Sequence, residues 1–231
     1  MTEISDLRRA AAFLDSLQTD PFEHVRRASD EHRESHAARL AGGTQECGVY
    51  PSDPLKMRVL ANIVRAMGAK RVLEVGCGLG YSALWLADAA GPAGSVETVD
   101  RFPEHAELAR RFTKESALES RVTVLTGDSD AVLGGLHGPY DFVHDDGWFA
   151  VRPPHFRRVL ELLRAGGVLA MSNWFLLVQS MAGEPNMDWS EFAGPDWRES
   201  VQTFARELAS ERGLEVAWMM DPGVALAVKV T

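Results

Sequence analysis

Glu74-Val75-Gly76-Cys77-Gly78-Leu79-Gly80-Tyr81-Ser82 puts a carboxylate, three glycines at alternate positions and a hydroxyl into one short stretch. The apolar run before it predicts a strand ending near the acid, and helical periodicity resumes at once in Tyr81 to Ala90. Gly76 and Gly78 can take positive φ and let a ligand approach the backbone with no Cβ in the way. A helix opening near Tyr81 or Ser82 turns its free N–H groups toward an anionic group such as a carboxylate. Simple tight packing of a strand–helix turn is the competing reading. Asp100 closes the next apolar run, SVETVD, where a carboxylate can accept both hydroxyls of a ribose. It can equally well cap the helix that follows. The glycines do not choose between nucleotide cofactors. The dinucleotide fingerprint G-x-G-x-x-G fails from Gly76, because its sixth position is Tyr81, but from Gly78 it ends on Ala83, which the looser form allows.

The elements that must hold these residues follow from the rest of the chain. RVLEV, SVETVD, RVTVLT, DFVHD and VLAMSN read as strands, with helical stretches between them. Strands spaced in this way form βαβ units and a parallel sheet covered on both faces. Val168 to Asn173 is the fifth strand, after a helix expected over Pro153 to Ala165. A helix over Trp197 to Ser210 precedes LEVAWMM and VALAVKV, which only Asp221-Pro222-Gly223 separates, so the last pair is an antiparallel hairpin. The expected fold is α/β, a Rossmann-like doubly wound, mostly parallel sheet with a C-terminal antiparallel hairpin. Residues 1–53, read as two helices and a loop, form a helical cap or lid on a domain at 54–231. In the helix Pro54 to Met67, the apolar side is read as Leu55, Val59, Leu60, Ile63 and Val64.

The chain has 231 residues, 45% hydrophobic and 25% charged, which is enough for one domain with a full core. A net charge of -9 weighs against a general attraction to nucleic acid or to an anionic membrane. No apolar run approaches the length of a membrane span, and the N-terminus lacks the apolar core of a secretory signal. Cys47 and Cys77 make no disulfide framework and no zinc pattern. A cytoplasmic protein is the expectation.

LEVGCGLGYS, ETVD, LTGDSDAVL, YDFVHDDGWF and ELLRAGGVLAMSN occur in that order. The chain from about Tyr50 to Val230 thereby resembles the class I S-adenosylmethionine-dependent methyltransferases. Among them it is most similar to the catechol and caffeoyl-CoA O-methyltransferases. The resemblance implies S-adenosyl-L-methionine as cofactor and a small-molecule acceptor. It implies that Glu74, Gly76 and Gly78 border the methionine part of the cofactor and that Ser82 binds its carboxylate, beside Tyr81 at the helix start. Asp100 would hold the ribose. Gly127, Asp128 and Ser129 would border the adenine, with Trp148 stacked on it; Trp148 as surface packing and Asp128 as the start of a turn are the plainer readings. A homodimer is also implied, though no heptad supports it independently.

The resemblance breaks at the metal. Metal-dependent members hold a divalent cation with two aspartates and an asparagine, and a lysine helps deprotonate the acceptor. Here the first aspartate is Asp146 and the asparagine is Asn173, but the second aspartate falls on Ser172 and the lysine on Phe149. Hard cations favour charged oxygen ligands, so no metal requirement is expected. Candidate bases are then Asp146, Asp145, His144 and His155, with His36 reachable if the N-terminal helices cover the site. Asp146 also borders the cofactor. Strand alternation should send His144 and Asp145 to opposite sides of the sheet. Trp174, Phe175, Met181, Met187 and Trp189 either line an apolar acceptor pocket or cover core. The reading is methyl transfer to a small molecule, at a hydroxyl oxygen by resemblance. Its rivals are an NAD-dependent oxidoreductase and a repurposed, non-catalytic S-adenosylmethionine-binding protein.

Overall fold

A computed structural model describes residues 9–10, 12–14, 16–39, 48–149, 152–184 and 188–231, without the side chains of 36–39 and 191–192. The chain order is α1 (Glu23–Arg39), α2 (Pro54–Ala66), β1 (Arg71–Val75), α3 (Tyr81–Ala90), β2 (Ser95–Asp100), α4 (Pro103–Glu115), β3 (Val122–Thr126), α5 (Ser129–Gly135) and β4 (Tyr140–Asp145). Then come α6 (Arg152–Leu162), β5 (Leu163–Met171), α7 (Phe175–Met181), α8 (Ser190–Ala193), α9 (Trp197–Ser210), β6 (Leu214–Met219) and β7 (Val224–Lys229).

The seven strands form one sheet in the order β3-β2-β1-β4-β5-β7-β6. The first five are parallel, and β7 pairs antiparallel with both β5 and β6. The doubly wound sheet and the closing hairpin are those that the alternation of strands and helices implies. Order reverses between β1 and β4, and in such sheets ligands bind beyond the carboxyl ends of the strands at that point.

Period-two alternation places the core. Val72, Val96, Phe142 and Ala170 face a cluster that includes Met57, Leu60, Leu84 and Leu86. Their neighbours Leu73, Val99, Val143 and Leu169 face another, with Phe156, Trp174 and Phe204. Because helices cover both faces, the central strands read as continuous apolar runs. Phe22 and Val25, at the start of α1, belong to the first cluster, so this end of the N-terminal segment packs onto the same core.

Two element boundaries differ from the sequence reading. Helix α6 stops at Leu162 and β5 begins at Leu163, which pairs with Tyr140 before the ladder is interrupted and resumes at Phe142 and Val168. Nζ of Lys229 donates to the carbonyls of Leu160 and Leu163 at 2.7 and 2.8 Å, satisfying acceptors that a longer helix would have used. Helix α2 buries Lys56, Met57, Leu60, Ala61 and Val64. Its inner face is therefore rotated from the expected one, and Leu55 is 41% exposed.

Candidate functional site

A cavity of about 420 Å³ opens over the carboxyl ends of β1, β2 and β4. Gly76, Gly78, Tyr81, Ser82, Asp100, Gly127, Asp128, Ser129, Asp146 and Trp148 all stand on its wall. Gly76 has φ +93, and a Cβ there would lie 2.8 Å from the backbone carbonyl carbon and oxygen of Asp146. The loop after β1 therefore touches the end of β4 with no room to spare. Gly80 caps α3 with φ 92 and no side-chain hydrogen bond, so the helix presents its first amides to the cavity without a capping oxygen in front of them.

Asp100 serves the loop as well as the cavity. Its Oδ2 accepts from the amide of Gly78 at 2.8 Å and its Oδ1 from the amide of Phe102 at 2.9 Å. The N-cap of α4 is Phe102, so Asp100 does not cap that helix directly. Asp128 does N-cap α5, its side chain accepting from the Asp130 amide, while still facing the cavity. The indole of Trp148 lies beside the Arg101 guanidinium, 5.9 Å from the ring centroid. The N-terminal part closes one side. Ser29 of α1 and the segment 48–52 line the cavity. Phe22 packs edge-on against Trp85, and the Tyr81 hydroxyl donates to Asp20 at 2.9 Å.

The far end holds a polar group that the sequence reading missed. Lys56 is 7% exposed, and its Nζ donates to Asp146 Oδ2 and to Ser172 Oγ, both at 3.1 Å. Ser52 Oγ donates to the same carboxylate oxygen at 2.8 Å, and Asn173 Nδ2 donates to Oδ1 at 3.1 Å. Burial would push the Asp146 carboxyl up, but the Lys56 ammonium foremost, with His144 and the Ser52 hydroxyl, outweighs it and holds the group below its ordinary value. The signal for Lys56 was its place on the helical face with Leu60 and Val64, spaced by four.

Behind this group runs a line across the sheet. Thr98, Glu74, His144 and Ala170 are register partners on β2, β1, β4 and β5. Thr98 donates to Glu74 Oε2 at 2.6 Å, His144 Nδ1 lies 3.1 Å from Glu74 Oε1, and His144 Nε2 lies 3.0 Å from Ser172 Oγ. Ser172 Oγ, which accepts from the Lys56 ammonium, and Glu74 Oε1 thus hold the two ring nitrogens of His144 from opposite sides. His144 and Glu74 are fully buried and neither reaches the cavity. The expectations of Glu74 beside the cofactor and His144 as base are corrected accordingly: alternation turns both into the sheet's packed face.

Asp145 and His155 are corrected for the opposite reason. Asp145 points to the other face, as alternation requires, where Arg152 Nε at 3.2 Å and His155 Nε2 at 3.0 Å engage its two oxygens. Burial would raise its pKa, but Arg152 and then His155 outweigh that and hold it well below the usual carboxylate range. Arg152 also donates to the carbonyls of Ser172, Asp145 and Gly147, tying the ends of β4 and β5 together. This is a brace beneath the site. His155 touches the cavity wall only through Ser129, 3.5 Å from its Nδ1.

Among the expected acceptor residues, Phe175 and Trp189 line the cavity and pack edge to face at 5.1 Å. Trp174 is core instead, stacked on Phe204 and edge-on to Trp218. Met181 is 70% exposed and off the cavity. Met187 and the His36 side chain lie outside the described residues. His105 was missed: it lines the cavity with Nδ1 3.5 Å from Asp100 Oδ1.

The donor set does not fit a divalent cation. An ammonium, which only donates, lies between Asp146 and Ser172, and the Asn173 amide turns its NH₂ toward the carboxylate. Among the described residues no group of three or more His, Cys, Asp or Glu is placed to hold a metal ion. Among the same residues no helix is long and apolar enough to cross a membrane.

A family model described as O-methyltransferase matches residues 51–230. A catechol O-methyltransferase of Mycobacterium tuberculosis is 35% identical over 117 residues, 50% of this chain and 53% of that one, so the match spans about half of each. A probable O-methyltransferase of the same organism is 31% identical over 196 residues, 82% of this chain and 84% of the other. The fold is similar to a solved O-methyltransferase of Streptomyces achromogenes involved in tomaymycin synthesis, in complex with SAM. The TM-score is 0.75 at 22% identity, and all of both chains is covered.

Proposed function

The chain belongs to the O-methyltransferase family, and from that premise we propose that it transfers a methyl group from S-adenosylmethionine to a hydroxyl oxygen of a small acceptor, a phenol or polyketide-like alcohol. The observation that carries this reading is the continuity of one cavity. It runs from the glycine loop and Asp100 to Asp146 and Asn173, with Phe175 and Trp189 beside them. Gly78 leaves the backbone bare for the methionine part of the cofactor, while Gly76 seats the same loop on the end of β4, and the uncapped amides of α3 with Ser82 suit the cofactor's carboxylate. Asp100 suits the ribose, and Gly127, Asp128, Ser129 and Trp148 suit the adenine.

When bound, S-adenosylmethionine supplies an electrophilic methyl group on a sulfonium. The chain must bring an oxygen into line with it and keep water out. Of the four bases expected from the sequence, Asp146 alone stands on the cavity wall. Held ionised by Lys56 and already accepting three hydrogen bonds, this carboxylate suits orienting a hydroxyl. Phe175 and Trp189 give the acceptor an apolar, aromatic wall. Residues 1–53 act in this reading as a cover, supported by the contacts of Asp20, Phe22 and Ser29 around the cavity. A cytoplasmic location and a homodimer complete it, on composition and on resemblance respectively.

The test is calorimetry with S-adenosylmethionine, S-adenosylhomocysteine and NAD, followed by mass spectrometry of a panel of phenols incubated with S-adenosylmethionine. Binding of the first two without NAD, and methylated product from one panel member, is the expected result. NAD affinity equal to that for S-adenosylmethionine would restore the oxidoreductase reading. Cofactor binding with no product from any acceptor would favour the non-catalytic one.

A further inference from the structure

We propose that the Lys56 ammonium is a built-in cation that takes the place of a divalent metal at the acceptor end of the cavity. It acts as a positioning residue by fixing the Asp146 carboxylate. The inference rests on the family reading only for the expectation of a metal at this place; the geometry stands by itself.

Lys56 starts the buried face of α2, which opens with Pro54 and is capped by Asp53, whose side chain accepts from the amides of Leu55 and Lys56. The cap and the proline hold the first turn, so the lysine stem enters the protein at a fixed angle. Its Nζ then meets Asp146 Oδ2 and Ser172 Oγ, each at 3.1 Å. A buried ammonium is costly unless it is paired and hydrogen-bonded, and here it has a carboxylate and a hydroxyl. Asp146 in turn takes Ser52 and Lys56 on one oxygen and Asn173 on the other, so three donors converge on that carboxylate. A cation entering beside Asp146 would have to displace an ammonium already held there and would meet its charge at contact distance. Serine at 172 belongs to the same arrangement. The hydroxyl there accepts from Lys56 and lies 3.0 Å from His144 Nε2, so it joins the ammonium to the buried line behind it.

The consequence is a site whose positive charge is covalently part of the chain. It cannot be chelated away, and it reaches the acceptor through Asp146 and Asn173, which line the cavity, rather than by touching the acceptor.

The experiment is a Mn²⁺ titration followed by electron paramagnetic resonance, on the full chain with S-adenosylhomocysteine. The wild type, Ser172→Asp and the double variant Lys56→Met/Ser172→Asp are compared, with circular dichroism as a check on folding. The wild type and Ser172→Asp, which keep the ammonium, should bind no Mn²⁺ at millimolar concentration. The folded double variant, with the ammonium gone and a second carboxylate present, should bind at least about tenfold more tightly than either, since hard-cation affinity follows ligand charge. Sub-millimolar Mn²⁺ binding by the wild type at this site would overturn the proposal. So would equal binding by Ser172→Asp and the double variant, or a folded double variant that binds none. If the double variant does not fold, the first two proteins still decide, because binding by either contradicts an ammonium that excludes the metal. None of these readouts involves methyl transfer, so a failure here leaves the enzymatic reading standing, and the reverse.

Discussion

The amide of Gly78 donates to the Asp100 carboxylate across 2.8 Å, so one side chain joins the loop after β1 to the end of β2. On the proposed reading, ribose binding and loop geometry therefore depend on the same group. Asp100→Ala should weaken S-adenosylmethionine binding by roughly 1–3 kcal/mol through lost charge-assisted hydrogen bonds. Calorimetry is the check, and an unchanged affinity would remove Asp100 from the cofactor site.

The Gly76 position should be intolerant of even one carbon. Its φ of +93 and the 2.8 Å approach of the Asp146 backbone make Gly76→Ala both strained and overpacked. A loss of about 1–3 kcal/mol in denaturant unfolding is expected. Gly134→Ala, where nothing lies within 4 Å, is the matched control and should change far less.

Metal dependence follows from Lys56. With an acceptor identified from the phenol panel, turnover should survive EDTA treatment and dialysis and should change little when magnesium is returned. A rate that collapses with EDTA and recovers with magnesium would contradict the expectation.

The Asp145–Arg152 pair predicts a pH effect on stability. The folded Asp145 carboxyl is held below the unfolded value of about 3.9. Its stabilisation is therefore complete above that value and is lost as the pH falls from about 4 through the folded value. Asp145→Asn should remove this part of the acid limb. It should also cost about 3–5 kcal/mol near neutrality, because Arg152 is left buried without its carboxylate. Urea unfolding of both proteins from about pH 7 down to about pH 2, which spans the loss below the unfolded carboxyl value, measures the difference.

Phe175→Ala and Trp189→Ala should act on the acceptor alone. Each removes part of the proposed aromatic wall and leaves the glycine loop and Asp100 intact, so the KM for the acceptor should rise several-fold while cofactor affinity holds. A matching loss of cofactor binding would mean that the two aromatics shape the whole cavity.

Much of this architecture was legible in residue patterns. The alternation of strands and helices led to the doubly wound sheet, and the Asp-Pro-Gly break to the closing hairpin. Strand alternation alone separated His144 from Asp145. What alternation could not show is which face opens to the cavity. Both faces of β4 are covered, so two plausible bases became parts of packed polar networks, and only Asp146, just past the strand, meets the cavity. Lys56 was hidden for a different reason. It sits far in sequence from Asp146 and Ser172, and a lysine among apolar residues reads first as a solvated side chain. Trp174 and Phe175 are neighbours in sequence with opposite fates, because the chain turns into α7 between them.

That last contrast bears on how such a protein diversifies. Trp174 and Trp197 are both buried in the core, and the amide of Trp174 donates to the carbonyl of Gly223 in the hairpin turn. Two buried tryptophans thus bracket this stretch, while Phe175 and Trp189 within it line the cavity. If they form the acceptor wall proposed above, exchanging them would edit what the enzyme accepts without rewriting what makes it fold. Acceptor preference can then drift among descendants faster than the cofactor half, where Gly76 is pressed against the backbone of Asp146 and has no room for a larger residue.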